Sequence, residues 1–354
     1  MSINNTSQDK VNNFFRYLKN FKSHNIFIHT DKESSFKHAK NSDNRIKKLS
    51  QIDGELFAVK ANIKVNSFPF HAGIEEFKNN TSFEDDPIIQ MIKKNGGIII
   101  GSTNMDEAAF GGSTSSSFYG RCLNPRNINF SVGGSSGGSA AAISSGLVHN
   151  AIGTDTMGSV RIPASYCGVV GFKPSSNTIS NKDLILLSNT YDSIGIFGKK
   201  LFNISNLFNL INDKDSSHPQ NIKCIVPTQI FEDEIESGVL ENFKKTIVLL
   251  KKNNIQVIEK ELDYWSPNFH RKALLKIVEN EGAKNLSDLL MNNRSKITKL
   301  LRSNLQFGQK INKADIKKIK EDLLKLKIKT QNIFETFDLI LTPTTPQSAF
   351  KIEK

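Results

Sequence analysis

The stretch from Leu56 to Asn104 constrains the fold more than any other. "LFAVKANI" is an apolar run without polar alternation. "DPIIQMIKKNG" places Ile88, Ile89 and Ile92 on one helical face and stops at Gly96, and "GGIIIGSTN" is a second apolar run flanked by glycine. A strand that is apolar on both sides must be buried on both sides, so this strand–helix–strand series predicts a sheet covered by helices on both faces. "GSAAAISSGL" adds helix-forming alanines and "VHNAIGT" a third buried strand. The expected class is therefore α/β. One residue breaks the pattern. Lys60 stands inside the first apolar run, where a charged ammonium is costly to bury. Burial lowers a lysine pKa from about 10.4 toward neutrality and makes the amine a usable base. A buried stem with its ammonium reaching water satisfies the same pattern, and the strand alone leaves both readings open.

The remaining chain adds organisation. Residues 8–50 are polar and patchily periodic (Val11, Phe14, Phe15, Leu18, Phe21) and read as peripheral helix and loop. After about residue 200 the composition shifts to Lys, Asn, Leu and Ile. The spacing predicts a helix over Asp315–Phe337, with Ile316, Ile319, Leu323, Leu326 and Ile333 as a packing stripe. "FDLILTPTTP" then reads as a strand entering a proline-broken turn. With no repeat and no long linker, one domain is expected: residues 1–50 peripheral, 51–200 the core, 201–337 helical, and 338–354 a final strand and end.

Bulk properties narrow the class. Of 354 residues 38% are hydrophobic and 23% charged, which supports a folded core rather than a disordered chain. No apolar run has membrane-spanning length, and MSINNTSQDK lacks the layout of a secretion signal. Cys122, Cys167 and Cys224 show neither metal-ligand spacing nor a disulfide framework, so a cytoplasmic setting is expected. The net charge of +12, from 47 basic and 35 acidic residues, comes mostly from scattered Lys. That is a compositional bias rather than a nucleic-acid patch.

"SVGGSSGGSAAAISSG", Ser131–Gly146, has the composition of a flexible linker. It runs at once into apolar, element-like sequence, so a loop packed between strand and helix is the better reading. Several chemistries compete for it. A phosphate-binding loop needs Gly-Lys-Ser/Thr, and here Gly138 is followed by Ser139 and Ala140. Gly133 to Gly137 matches G-x-S-x-G literally, but that scheme needs a downstream acid and then a histidine. Of the downstream candidates His149, His218 and His270, the last two lie in Lys/Asn-rich surroundings. The seven histidines are dispersed, without metal-ligand spacing. No metal and no cofactor is expected. A Ser and Lys scheme without histidine remains.

"GTDTMGSVRIPASYCGVVGFKP", Gly153–Pro174, read with the Gly/Ser loop and Lys60, resembles the amidase signature family. The blocks occur in the family order, with Ser135 and Ser159 24 positions apart. The likeness runs from about Leu56 to Phe197, with a weaker echo in "FDLILTPTTP". It implies a central mixed sheet covered on both faces and a Ser–cis-Ser–Lys group. By position, Lys60 matches the family lysine, Ser135 the cis-serine and Ser159 the nucleophile. Neutral Lys60 would take a proton from Ser135, which relays one from Ser159, whose oxygen attacks an amide carbonyl. The resemblance further implies an oxyanion hole from backbone N–H groups of Thr156, Met157, Gly158 and Ser159. Asp155 and Arg161 are implied as scaffold, Ser136 and Ser139 as loop hydrogen-bonders, and Ser113 and Thr114 as residues at the substrate mouth.

Three features depart from the family pattern. Lys60-Ala61-Asn62 lacks the carboxylate of the common K-D-N, Met157 stands where Gly or Ala is usual, and the chain stops at Lys354 where the family continues. The last departure implies an open sheet edge, to be completed by a second copy or another chain. The expected function is hydrolysis of a small-molecule carboxylic amide through an acyl-enzyme. The alternatives are the glutaminase component of a tRNA-dependent amidotransferase and, from a different class, a catalytically impaired remnant or binding protein.

Overall fold

A computed structural model of the chain describes residues 6–212, 221–231, 234–292 and 296–352. Where the sequence predicts a single domain, the chain divides into two compact units. One comprises Met1–Lys214, Asn285–Asn304 and Ala349–Lys354; the other comprises Asp215–Lys284 and Leu305–Ser348.

The first unit is built on α1 (Ser7–Leu18), β1 (Phe27–Thr30), α2 (Lys32–Asp43), β2 (Leu56–Lys60), α3 (Pro87–Lys94), β3 (Ile98–Thr103), α4 (Gly137–Ser144), β4 (Asn150–Asp155), α5 (Arg161–Cys167), β5 (Val170–Phe172), β6 (Ser193–Gly198) and α6 (Leu201–Ile211). Its strands form one sheet in the order β1-β3-β2-β4-β6-β5. β3, β2 and β4 are parallel, while β1, β6 and β5 run antiparallel to their neighbours. The sheet is mixed.

Side-chain alternation along the apolar strands divides the core in two. Leu56, Ala58, Ile98, Ile100 and Ala151 join one cluster with the alanines of α4, and Phe57, Val59, Ile99 and Ile152 join another with Ile88, Ile89 and Ile92 of α3. This is the period of two expected of a strand covered on both faces. α3 begins where Asp86 accepts the Ile88 N–H at 3.0 Å and Pro87 takes the first helical position.

The N-terminal residues depart from the expectation of a peripheral stretch. Val11 and Phe14 are buried in the core, and β1 pairs with β3 as the antiparallel edge of the sheet. The four-residue "FIHT" is half-buried and interrupted by a histidine, which is too short a pattern to be read locally as a strand.

α4 approaches the sheet through small residues. A Cβ at Gly138 would lie 2.6 Å from the Asn104 nitrogen, and one at Gly153 would lie 2.9 Å from Ser136 Oγ. The β2–β4 register pairs Phe57 with Asn150 and Val59 with Ile152. Continued by one residue, this register sets Lys60 beside Gly153, with Thr154 next along β4, at the carboxyl ends of parallel strands, the edge at which open α/β sheets bind ligands.

The second unit carries β7 (Lys223–Pro227), α7 (Ser237–Lys252), β8 (Gln256–Lys260) and α8 (Pro267–Asn285, its residues to Lys284). α9 (Ser287–Asn292) and the residues of α10 (Lys299–Lys310) up to Asn304 belong to the first unit. The second unit ends with α11 (Lys313–Ile333) and β9 (Leu339–Ile340), which lies parallel beside β7 in a β8-β7-β9 sheet. The predicted long helix is present, started by the Asn312 side chain accepting the Asp315 N–H at 2.8 Å. Its apolar stripe is half-buried, with no residue of α11 fully enclosed. His218 lies outside the described residues.

Candidate active site

Lys60 is the last residue of β2 and is fully buried. Its Nζ lies 2.8 Å from Ser135 Oγ, 2.8 Å from Thr154 Oγ1 and 3.5 Å from the Thr154 carbonyl oxygen. Of the two readings left open by the strand, the stem with a solvated ammonium is thus excluded. Burial lowers the Lys60 pKa to about 7, against the opposing attraction of Asp192, Asp106 and Asp155. The carboxylate absent at Ala61 is offset in part by these three, which reach the site from other segments.

Ser135 is also fully buried, and the Gly134–Ser135 peptide is cis. The loop around it is held from several directions. Gly133 has φ of +78°, and a Cβ there would lie 2.7 Å from the Pro163 Cα, so both backbone conformation and close approach require glycine. The Ser135 carbonyl accepts the Asp106 N–H at 3.1 Å. Ser136 donates its N–H to the Ser159 carbonyl at 3.2 Å and its hydroxyl to the Thr154 carbonyl at 3.0 Å. Ser139 donates its hydroxyl to the Ile152 carbonyl at 3.0 Å. The structure thus joins Lys60 to Ser135 through side chains, and the Ser159 segment to the same loop through backbone.

Ser159 lies between β4 and α5 and is 8% exposed. Its turn is organised by Asp155, whose fully buried carboxylate accepts N–H groups of Gly158 at 2.8 Å, Val160 at 3.1 Å and Arg161 at 3.4 Å. The Arg161 guanidinium adds a two-pronged contact at 3.0 and 2.8 Å. Burial pushes the Asp155 carboxyl up, but the Arg161 fork and the Val160 and Gly158 N–H groups outweigh it, and its pKa is lowered.

Two expectations are corrected by this geometry. Gly158, placed by resemblance in the oxyanion hole, gives its N–H to Asp155 and has none left for a ligand. Among the described residues no acceptor takes the N–H groups of Thr156, Met157 or Ser159. Thr114, expected at the substrate mouth, is fully buried. Its hydroxyl donates to the Gly133 carbonyl at 2.8 Å and accepts the Gly137 N–H at 3.0 Å, so it fastens the serine loop. Ser113 stays at the surface of that segment, its Oγ 2.8 Å from Ser115 Oγ.

Four residues not foreseen from the sequence shape the site. Asp106 accepts the N–H groups of Ser113 at 3.1 Å, Thr114 at 2.8 Å, Ser115 at 2.9 Å and Ser116 at 3.4 Å, which fixes the segment packed on Gly134. Asp192 accepts the Thr156 hydroxyl at 2.5 Å and the N–H groups of Leu187 and Ser188. Burial raises its pKa. Thr154 and Asn62 contact Lys60 or each other. The available signal was an acid five positions ahead of a Gly/Ser/Thr-rich loop for Asp106, and an acid directly before an apolar strand for Asp192.

Other chemistries find no geometry here. His149 precedes the first residue of β4, at the strand end opposite Asp155, and His270 lies on α8 with its Nδ1 against Ser266. Among the described residues no three or more His, Cys, Asp or Glu gather as a metal-ligating group. The three cysteines are buried thiols, and burial pushes Cys167 up to about 12.

Comparison with known proteins adds relatives to this geometry. The family model described as Amidase matches residues 10–354. The chain is 41% identical over 196 residues to the A subunit of the glutamyl-tRNA(Gln) amidotransferase of Endomicrobium trichonymphae, covering 54% of this chain and 40% of that protein. To its counterpart of the same name from Methanothermobacter thermautotrophicus it is 38% identical over 251 residues, covering 68% of this chain and 55% of that one. The matched stretch thus spans about half the length of these curated relatives. Among solved structures, a crystal structure of an amidase superposes with a TM-score of 0.91 at 23% identity, over 99% of this chain and 81% of that one. That likeness establishes the shared fold.

Proposed function

The chain belongs to the Amidase family, and from that premise we propose that it hydrolyses a small carboxylic amide to the acid and an amine or ammonia, with Ser159 as the nucleophile. The observation that carries this reading is a fully buried lysine amine, with its pKa at about 7, held 2.8 Å from Ser135 Oγ. A neutral amine at that distance is a competent general base at ordinary pH.

Neutral Lys60 accepts the Ser135 proton, and Ser135 accepts that of Ser159 as the Ser159 oxygen bonds to the amide carbon. The N–H groups of Thr156, Met157 and Ser159 then receive the carbonyl oxygen as it becomes an oxyanion. One such donor stabilises a tetrahedral intermediate by about 2.7–4 kcal/mol. The protonated relay delivers a proton to the leaving nitrogen and the C–N bond breaks, leaving an ester on Ser159. Water, deprotonated by the same relay, cleaves that ester and restores the serine. Asp155 and Arg161 hold the turn and do not touch the reacting atoms.

The test is labelling by a fluorophosphonate, which phosphonylates an activated serine without needing the true substrate. Label on Ser159, lost in Ser159→Ala and in Lys60→Ala, is the expected result. Unlabelled wild-type protein would support the inert remnant, and label on another serine would displace Ser159 as nucleophile.

A second reading rests on the curated relatives, whose names are those of amidotransferase components. In it, the same serine chemistry releases ammonia from glutamine for a partner chain. Glutaminase activity that appears only with a co-purified partner would favour this reading over a stand-alone amidase.

A further inference from the structure

We propose that Thr154, held by Asn62, is a positioning residue that turns the Lys60 lone pair toward Ser135. The inference rests on the catalytic reading above. Three oxygens surround the Lys60 nitrogen: Ser135 Oγ and Thr154 Oγ1 at 2.8 Å, and the Thr154 carbonyl at 3.5 Å. They match the three N–H donors of the ammonium form. When the amine loses a proton, one of the three directions becomes a lone pair, and only a lone pair facing Ser135 makes a base for the relay.

The surroundings select that direction. The Thr154 carbonyl accepts and never donates, so the lone pair is disfavoured there. The Thr154 hydroxyl oxygen already receives the Asn62 Nδ2 donor at 3.2 Å. Its second lone pair takes an N–H of Lys60 at 2.8 Å. The remaining neighbour is the Ser135 hydroxyl, which has a proton to give. The backbone that carries Asn62 is held in place, since its main-chain carbonyl accepts the Ile185 N–H at 3.2 Å. The two residues flank Lys60 from β4 and from the turn after β2, and all three are buried.

The arrangement also sets the amine's basicity. Thr154 Oγ1 bonds the ammonium more strongly than the neutral amine, so its removal must lower the Lys60 midpoint further. It must also slow proton transfer at every pH, because the lone pair is no longer aimed. A residue that merely supports the fold would change neither the midpoint nor the plateau in this linked way.

The experiment measures the saturating rate of Ser159 phosphonylation by a fluorophosphonate across pH in the full chain, with thermal melts as the folding control. For Thr154→Val the acid limb should move to lower pH and the plateau should fall about ten-fold or more. The probe concentration for half-saturation should not change, and Thr154→Ser should restore both midpoint and plateau. Thr154→Ala, which adds no atom to the core, carries the same expectation should the valine not fold. A wild-type midpoint and plateau in Thr154→Val or Thr154→Ala overturns this inference alone, as does a Thr154→Ser protein that fails to recover. Absence of labelling on wild-type Ser159 overturns the catalytic reading, and this inference with it.

Discussion

Replacing Lys60 and following the reaction against pH probes the site most directly. An ordinary lysine, with a pKa near 10.5, is about 0.03% neutral at pH 7, whereas Lys60, lowered to about 7, is half neutral. Its burial therefore raises the concentration of usable base at pH 7 by roughly a thousand-fold. The assay is the rate of fluorophosphonate labelling of Ser159 from pH 5 to 9. The rate should climb ten-fold per pH unit below about 7 and level off above it, while Lys60→Ala should be slow and flat.

Stability follows the same proton. The unfolded chain keeps the Lys60 proton up to about 10.5 and the folded chain releases it near 7. In that window the unfolded state binds more protons, so stability rises with pH through it, and the cost of burying the amine is fully present below 7. Lys60→Met, with no charge to desolvate, should therefore gain most over the wild type at or below pH 7 and least toward pH 10. A labelling rate still climbing ten-fold per unit through pH 9, or a wild-type stability indifferent to pH between 7 and 10, would refute the reasoning.

Other expectations follow from the contacts around this pair. Asp155→Asn removes the charge that binds the Arg161 fork, and should cost about 1.5–3 kcal/mol by denaturant midpoint together with most of the labelling rate. Because the Asp155 pKa is lowered in the fold, the stability it supplies is present above the usual aspartate range and lost as the pH falls below it. That loss on acidification should be absent from the Asp155→Asn titration. Gly133→Ala sets a Cβ 2.7 Å from the Pro163 backbone at φ +78°, and should destabilise by about 1–3 kcal/mol in the same measurement. Asp106→Ala frees the N–H groups of Ser113 to Ser116, which should exchange their hydrogens faster in exchange mass spectrometry while labelling slows.

The parts of the molecule that were legible in the sequence share one property. Their signal lies within a few neighbouring residues. The runs at Leu56, Ile98 and Asn150 read as doubly buried strands because, Lys60 aside, their central positions are apolar or small, and the structure encloses all of them. Gly96 marked the end of α3 by its own local chemistry. β1 was not legible, because its place in the sheet depends on pairing with β3 some seventy residues away. The roles of Thr114 and Gly158 were misplaced for a related reason. A side chain's partners decide its role, and those partners lie on other loops or are chosen by a turn's dihedral angles.

The sequence by itself determined the α/β class, the lysine set in an apolar strand and the spacing of the two serines. These follow from hydrophobic periodicity and from the order of residues along one chain. Only the tertiary structure decided that Lys60 meets Ser135 and Thr154 rather than water. It also decided that Asp106, Asp155 and Asp192 bring their charges to bear on the amine, and that Gly158 is spent on Asp155. The physical reason is that a pKa and a free hydrogen-bond donor belong to an environment. That environment is assembled where the ends of β2 and β4 and the loops beside them converge, from residues up to about 130 positions apart.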